Sequence, residues 1–187
     1  MTRRSIKALL FSDVKSFSKL SEKECINFCR IFHSGIQSDV LAAYDDRIVL
    51  KNTWGDALHV VMDDVVTAGK LALDLRDWMA GFNWQNAGIS STPEIRIGLH
   101  AGVVSHVADP ITGKFNYIGR NTSKAARIEP ITFEGQVFVS QAFAALLSAQ
   151  GSDELTCEYV GVRELPKNSG SISVYLLQRK SARDRYR

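Results

Sequence analysis

The sequence predicts an α+β fold on a ferredoxin-like split βαβ core, with a mostly antiparallel sheet and flanking helices. Three observations predict it. Short apolar runs alternate with segments of helical periodicity in the order β-α-β-β-α-β, and then α-β-α-β-β. Two β-branched runs flank Thr53-Trp54-Gly55, a hairpin signal with glycine in the turn. The chain has 187 residues, 45% hydrophobic and 23% charged, the size and balance of one globular domain.

Each element has a local reason. Ile6 to Phe11 is an apolar run that ends at Ser12-Asp13, a buried strand. Ser21 and Glu24 form a capping box. The helix it opens repeats Ile26, Cys29, Phe32, Ile36 and Val40 on one face, to about Tyr44. Arg47 to Leu50 and Ala57 to Met62 are the hairpin strands. Val65 to Trp84 is a second amphipathic helix through Leu71, Leu75, Trp78 and Phe82. Asn86 to Pro93 is a polar loop. Glu94 to Val107 is a strand pair or one long strand, with Gly98 and Gly102 expected as bends. Asp109 to Lys114 is a turn. Ser123 to Glu129 has helical composition, and Pro130 ends it. Val137 to Ser140 is a strand, Gln141 to Ala149 a helix closed by Gly151, and Thr156 to Val160 and Ile172 to Leu176 two late strands. The helices are expected on one face of the sheet.

Composition excludes several classes. The formal charge is 23 − 20 = +3, too small to argue for nucleic acid. No apolar run approaches the ~20 residues of a membrane span. The basic start, Met1 to Lys7, leads into an apolar stretch that Asp13 and Lys15 interrupt too soon for a signal core. A cytoplasmic location without membrane contact is expected. Three cysteines, Cys25, Cys29 and Cys157, are an odd set and no disulfide framework. Residues 1–178 are expected to form the domain and residues 179–187 a basic tail, solvated or in contact with a partner or anion.

Two carboxylates stand out. Asp13 ends the first strand and Asp56 follows Gly55 in the hairpin. A split βαβ sheet makes these strands neighbours, so both side chains can meet at one sheet edge. Such a pair is a site for Mg²⁺ or Mn²⁺, completed by waters and substrate phosphates; the alternative is two turn aspartates. Val14 to Ser18 leads into a helix with small residues, and the backbone N–H groups of Ser16 and Phe17 suit phosphate oxygens there. Arg127 lies four residues after Ser123 on one helical face, suited to charge developing on phosphorus; the alternative is an arginine at a sheet edge or paired with Glu129. Cys25, Cys29 and His33 share a helical face, read as a buried stripe before a zinc site. His59, His100 and His106 show no metal spacing.

Five segments carry a family resemblance. Leu10-Phe-Ser-Asp-Val-Lys-Ser-Phe-Ser-Lys-Leu-Ser21 resembles the opening of class III nucleotidyl cyclase catalytic domains, apolar-Phe-x-Asp-Ile-x-x-Phe-Thr-x-Leu-Ser. Lys51-Asn-Thr-Trp-Gly-Asp-Ala57 resembles their Lys-Thr-Ile-Gly-Asp turn, and Ile95-Arg-Ile-Gly-Leu-His-Ala-Gly102 their Arg-Ile-Gly-Ile-His-x-Gly strand. Tyr117 to Ile128 resembles their Trp-Gly-x-x-Val-Asn-x-Ala-Ala-Arg-Leu helix, and Gly135-Gln-Val-Phe-Val-Ser140 completes the order. Together they cover about residues 6 to 178.

The resemblance implies a homodimer with two interface sites that converts a nucleoside triphosphate to the 3′,5′-cyclic monophosphate and pyrophosphate. Asp13, Val14 and Asp56 of one protomer would hold two divalent ions, Mn²⁺ or Mg²⁺. These would acidify the ribose 3′-hydroxyl for in-line attack on the α-phosphate. Arg127 of the other protomer would steady the transition state, and Lys167 stands one residue off the family's phosphate-binding lysine. Ser123 replaces the transition-state Asn, and Asn121 is a candidate substitute. Asn52 replaces the adenine-reading Lys and Asn116 the adenine-reading Asp. Two amides match neither purine pattern. Trp54 replaces a smaller aliphatic residue and either narrows the base pocket or packs in the core. The domain is similar to the pyrimidine cyclases of bacterial antiphage Pycsar operons, whose cyclic UMP or cyclic CMP is read by a separate effector. UTP is favoured over CTP. The alternatives are an adenylate or guanylate cyclase, or a degenerate nucleotide-binding module.

Overall fold

A computed structural model describes residues 3–181. Its elements are β1 (Arg3–Lys15), α1 (Glu22–Gly35), β2 (Ile48–Trp54), β3 (Ala57–Met62), α2 (Val65–Gly81), β4 (Glu94–Ala108), β5 (Phe115–Ile118), α3 (Arg120–Ile128), β6 (Val137–Ser140), α4 (Gln141–Gln150), β7 (Leu155–Glu164) and β8 (Ser171–Arg179). The strands form one sheet in the order β2-β3-β1-β4-β6-β8-β7, with β5 paired to β4. Among the described residues only β4–β6 pairs in parallel; every other pairing is antiparallel. The architecture is the expected α+β fold with a mostly antiparallel sheet and flanking helices.

The predicted cap opens α1: Ser21 Oγ accepts from the Glu24 N–H while the Glu24 carboxylate accepts from the Ser21 N–H. Beyond Gly35 the chain loosens into a wider turn at Ile36–Val40 and a tighter one at Leu41–Tyr44. The long strand reading of residues 94–107 is the observed one. The sequence reading missed β5, a four-residue strand that returns along β4 after the turn at Gly113.

Alternation along the strands divides the core. Ala8, Leu10, Leu58, Val60, Ile97 and Leu99 face α1, α2 and α4 and meet Phe28, Phe32, Leu71, Leu75 and Phe143, all buried. Burying each large side chain contributes roughly 1.5–3 kcal/mol, so this layer carries most of the stability. The alternate residues Leu9, Val61, Val104 and Phe138 face the other way, against Ala125 and Ile128 of α3. The helices therefore do not share one face, as the sequence reading expected: α3 crosses the opposite one. Its short apolar stripe, Ala125 and Ile128, was too sparse to assign a face.

Gly98 and Gly102 explain how α3 comes so close. A Cβ at Gly98 would sit 2.5 Å from the Glu129 backbone nitrogen, and one at Gly102 would sit 2.5 Å from the Asn121 side chain. These glycines are not the expected bends. They are the floor on which α3 rests. His100, buried between them, bonds Ser140 Oγ through Nδ1 at 2.7 Å and Asn121 Oδ1 through Nε2 at 2.9 Å. Asn121 Nδ2 donates to the Val103 carbonyl at 2.8 Å. His100 is thus a packing residue that pins the start of α3. Among the described residues no helix is long and apolar enough to cross a membrane. Arg179 belongs to β8 and pairs with Asp74 and Asp77 of α2, while residues 182–187 of the basic tail lie outside the described residues.

Candidate active site

β1 and the β2–β3 hairpin are adjacent, with Phe11 opposite His59 and Ser12 opposite Leu58. That register carries Asp56, in the turn, up to the end of β1. The Val14 N–H donates to Asp56 Oδ2 at 3.1 Å. Asp13 and Asp56 lie close enough to couple. Burial, and then the charge of Asp13, push the Asp56 carboxyl above its ordinary range. Two half-buried carboxylates that repel each other are a donor set for a hard divalent cation. Mg²⁺ or Mn²⁺ takes one or two protein carboxylates and completes its shell with waters and phosphate oxygens. The Val14 side chain is buried, so only its backbone oxygen could join them.

The sequence reading missed a third carboxylate and an arginine beside this pair. Arg96 stands directly across from Asp13 in the β1–β4 register. Its Nη2 lies 2.7 Å from Asp13 Oδ2 and 3.0 Å from Glu129 Oε1. The second contact is an ion pair by distance, misaligned for a hydrogen bond. Glu129 therefore pairs with Arg96, not with Arg127. The signal was partial: Arg96 is the one arginine of β4 and stands next to the apolar Ile95 and Ile97, but its partners depend on the β1–β4 register. Burial raises the Glu129 carboxyl to about 7, against the pull of Arg96 and with the push of Asp13 and Asp56.

This shift predicts a pH dependence. The folded value lies above the ordinary 4.5, so folding favours the protonated acid. The stability that Glu129 contributes is fully present below about 4.5 and is lost as pH rises through about 7. The Glu129 share is on the order of 3 kcal/mol. Glu129→Gln should flatten that decline in denaturant titrations run across the window; an unchanged slope would show that Glu129 is not its source.

Ser16 adopts a left-handed conformation, φ 63°, and Phe17 opens a single 3₁₀ turn closed by Lys19 N–H to the Ser16 carbonyl at 2.9 Å. Successive residues of opposite hand turn backbone N–H groups into one concavity, the shape that holds phosphate oxygens. Cys25 lies behind this loop, with Sγ 3.8 Å from the Phe17 and Leu20 carbonyls, and His33 bonds the Gly55 carbonyl at 2.8 Å. Both support the loops, and the stripe is half-buried where the sequence reading expected it to be buried. Among the described residues no three His, Cys, Asp or Glu side chains are set to hold a metal.

Ser123 and Arg127 lie elsewhere. They line a cleft of about 380 Å³ with Arg120, Lys124, Leu165 and Ser169, and neither Asp13 nor Asp56 reaches it. Lys167, φ 60°, stands in the turn between Leu165 and Ser169. One protomer thus brings Ser123, Arg127 and the Lys167 turn together on one side of α3, and Asp13, Asp56, Ser16 and Phe17 together at the hairpin. Asn121 is not available as a substitute for Ser123, because both its polar atoms hold the sheet. Trp54 does not pack in the core: it is 89% exposed at the hairpin tip, two residues from Asp56. Asn52 is exposed on β2 opposite His59, and Asn116 sits on β5 opposite Val107, with its Oδ1 accepting the Tyr117 N–H at 2.8 Å.

The split βαβ sheet thus brings two coupled carboxylates together at one end of its strands, beside a loop of concave backbone, with a cationic helix on its opposite face. The model of the adenylate and guanylate cyclase catalytic domain matches residues 2–179, and the chain belongs to that family. It is 24% identical over 176 residues to the adenylate cyclase of Schizosaccharomyces pombe, covering 84% of this chain and 10% of that protein. It spans a tenth or less of the length of the first curated relatives it matches. Among solved structures, the adenylyl cyclase CyaB from P. aeruginosa superposes with a TM-score of 0.83 at 21% identity over 98% of both chains. The guanylate cyclase domain of RhGC from Catenaria anguillulae, in complex with GTP, gives 0.79 at 20% identity over 96% of this chain and all of that one.

Proposed function

We propose that the chain is a cytoplasmic pyrimidine nucleotidyl cyclase. It acts as a homodimer on UTP in preference to CTP, and its cyclic nucleotide is a second messenger read by a separate effector in antiphage defence. Asp13, Asp56 and the Val14 carbonyl of one protomer hold the divalent cations. Cations bound there lower the pKa of the ribose 3′-hydroxyl and neutralise the triphosphate. The Ser16–Phe17 backbone orients the phosphate chain. Arg127 of the partner protomer steadies charge on the α-phosphate as pyrophosphate leaves, and Lys167 reaches the phosphates from its turn. Ser123 offers one hydroxyl donor where the family has an amide. Asp13 and Asp56 sit apart from the Arg127 cleft within one protomer, which supports a site shared between two.

The observation that carries the base choice is Asn116. Its carbonyl oxygen is committed to the Tyr117 N–H, so the side chain presents its NH₂ as a donor. Uracil and guanine carry an acceptor, O4 and O6, where cytosine and adenine carry amino groups, so this donor suits uracil over cytosine and leaves the exclusion of guanine to the room around the base. Asn52 adds a second amide, and the exposed Trp54 supplies a flat face beside the metal carboxylates that narrows the room for a base. The test is purified protein with ATP, GTP, CTP or UTP and Mn²⁺, products resolved by mass spectrometry. Cyclic UMP should dominate, with cyclic CMP next. Product from ATP or GTP alone would replace the pyrimidine reading by a purine one, and no product from any nucleotide would leave a non-catalytic nucleotide-binding module.

A further inference from the structure

The outward face of α3 carries charge that the fold does not balance. Arg120, Lys124 and Arg127 recur at i, i+4 and i+7, so they share one face and line the same cleft. No Asp or Glu lines that cleft. Cations four residues apart repel and weaken a helix. Arg120 also stands in the first turn, the end whose dipole disfavours positive charge. That end has no side-chain cap, since Gly119 precedes it. Arg127, in the last turn, suits the dipole, but the placements of Arg120 and Lys124 in a nine-residue helix are poorly built for stability alone. In the cyclase pattern quoted above, the positions of Arg120 and Lys124 are unspecified.

We infer that Arg120 and Lys124 are further binding residues for the polyphosphate chain of the substrate and for the pyrophosphate it leaves, extending the anion site that Arg127 begins. This deepens the proposed function and rests on Arg127 facing the triphosphate. The added charge strengthens binding where Ser123 offers less than the amide it replaces. It also makes the enzyme sensitive to its own pyrophosphate.

Inorganic tripolyphosphate is the probe, titrated calorimetrically into the full chain at low salt without divalent cation, so the readout is independent of turnover. Wild type should bind it with an affinity that falls steeply with salt. Arg120→Gln and Lys124→Gln should each weaken binding about tenfold, the loss of one charge-assisted contact, while Lys124→Arg retains it. Without anion, Lys124→Gln should melt no lower than wild type, because a repulsion has been removed. In turnover assays both glutamine variants should raise KM and relieve pyrophosphate inhibition in parallel, with kcat little changed. Binding as tight as wild type in both variants overturns the inference, as does an equal loss in Lys23→Gln, a control on α1 far from the cleft. Lost tripolyphosphate binding in a chain that cyclises no nucleotide would uphold the anion site and sink the cyclase reading instead.

Discussion

Asp56→Asn should leave a folded protein whose turnover is lower by about three orders of magnitude, since a bound cation contributes several kcal/mol to the barrier. The variant removes one charge from the proposed two-carboxylate cation site and little else. Asparagine keeps an oxygen that can accept the Val14 N–H now held by Asp56 Oδ2. The charge it removes is unfavourable in the absence of cation, because burial and Asp13 both push the Asp56 carboxyl up. Thermal stability without Mn²⁺ should therefore hold or rise while activity disappears, and Mn²⁺ should no longer raise the melting temperature as it does for wild type. A general defect of folding would move both in the same direction. Turnover within a few-fold of wild type would remove Asp56 from the chemistry.

Arg127→Ala should lower kcat by about two to three orders of magnitude, the effect of deleting one preorganised donor that meets transition-state charge. Its side chain faces the cleft beside Ser123, not Glu129, whose carboxylate is engaged by Arg96. Truncation therefore breaks no ion pair among the described residues, and the fold should tolerate it. Mn²⁺ should still stabilise the variant, because Asp13 and Asp56 are intact. Loss of the Mn²⁺ response would place Arg127 in the architecture of the metal site instead.

The sheet was largely legible in the sequence, since alternation and continuous apolar runs depend on local patterning. Asp13 and Asp56 were legible as a pair because their strands had to be neighbours. What escaped depends on long-range packing. The face taken by α3 is set by Gly98 and Gly102 on a distant strand, where a missing side chain is the signal. The Arg96 contact to Asp13 appears only once the β1–β4 register is known. Asn121 looked free by composition, yet His100 and the Val103 carbonyl occupy it. β5 is four residues long, below the length at which alternation stands out.

The central claim is that each site draws its cation carboxylates from one protomer and its arginine from the other. The direct measurement mixes two inactive proteins, Asp56→Asn and Arg127→Ala, in equal amounts and follows cyclic nucleotide formation. In a two-fold dimer each mixed pair holds one intact site and one doubly damaged site, so random exchange should restore about a quarter of wild-type activity. No recovery, with mixed dimers shown to form by mass spectrometry, would place both groups in a single protomer and contradict the account.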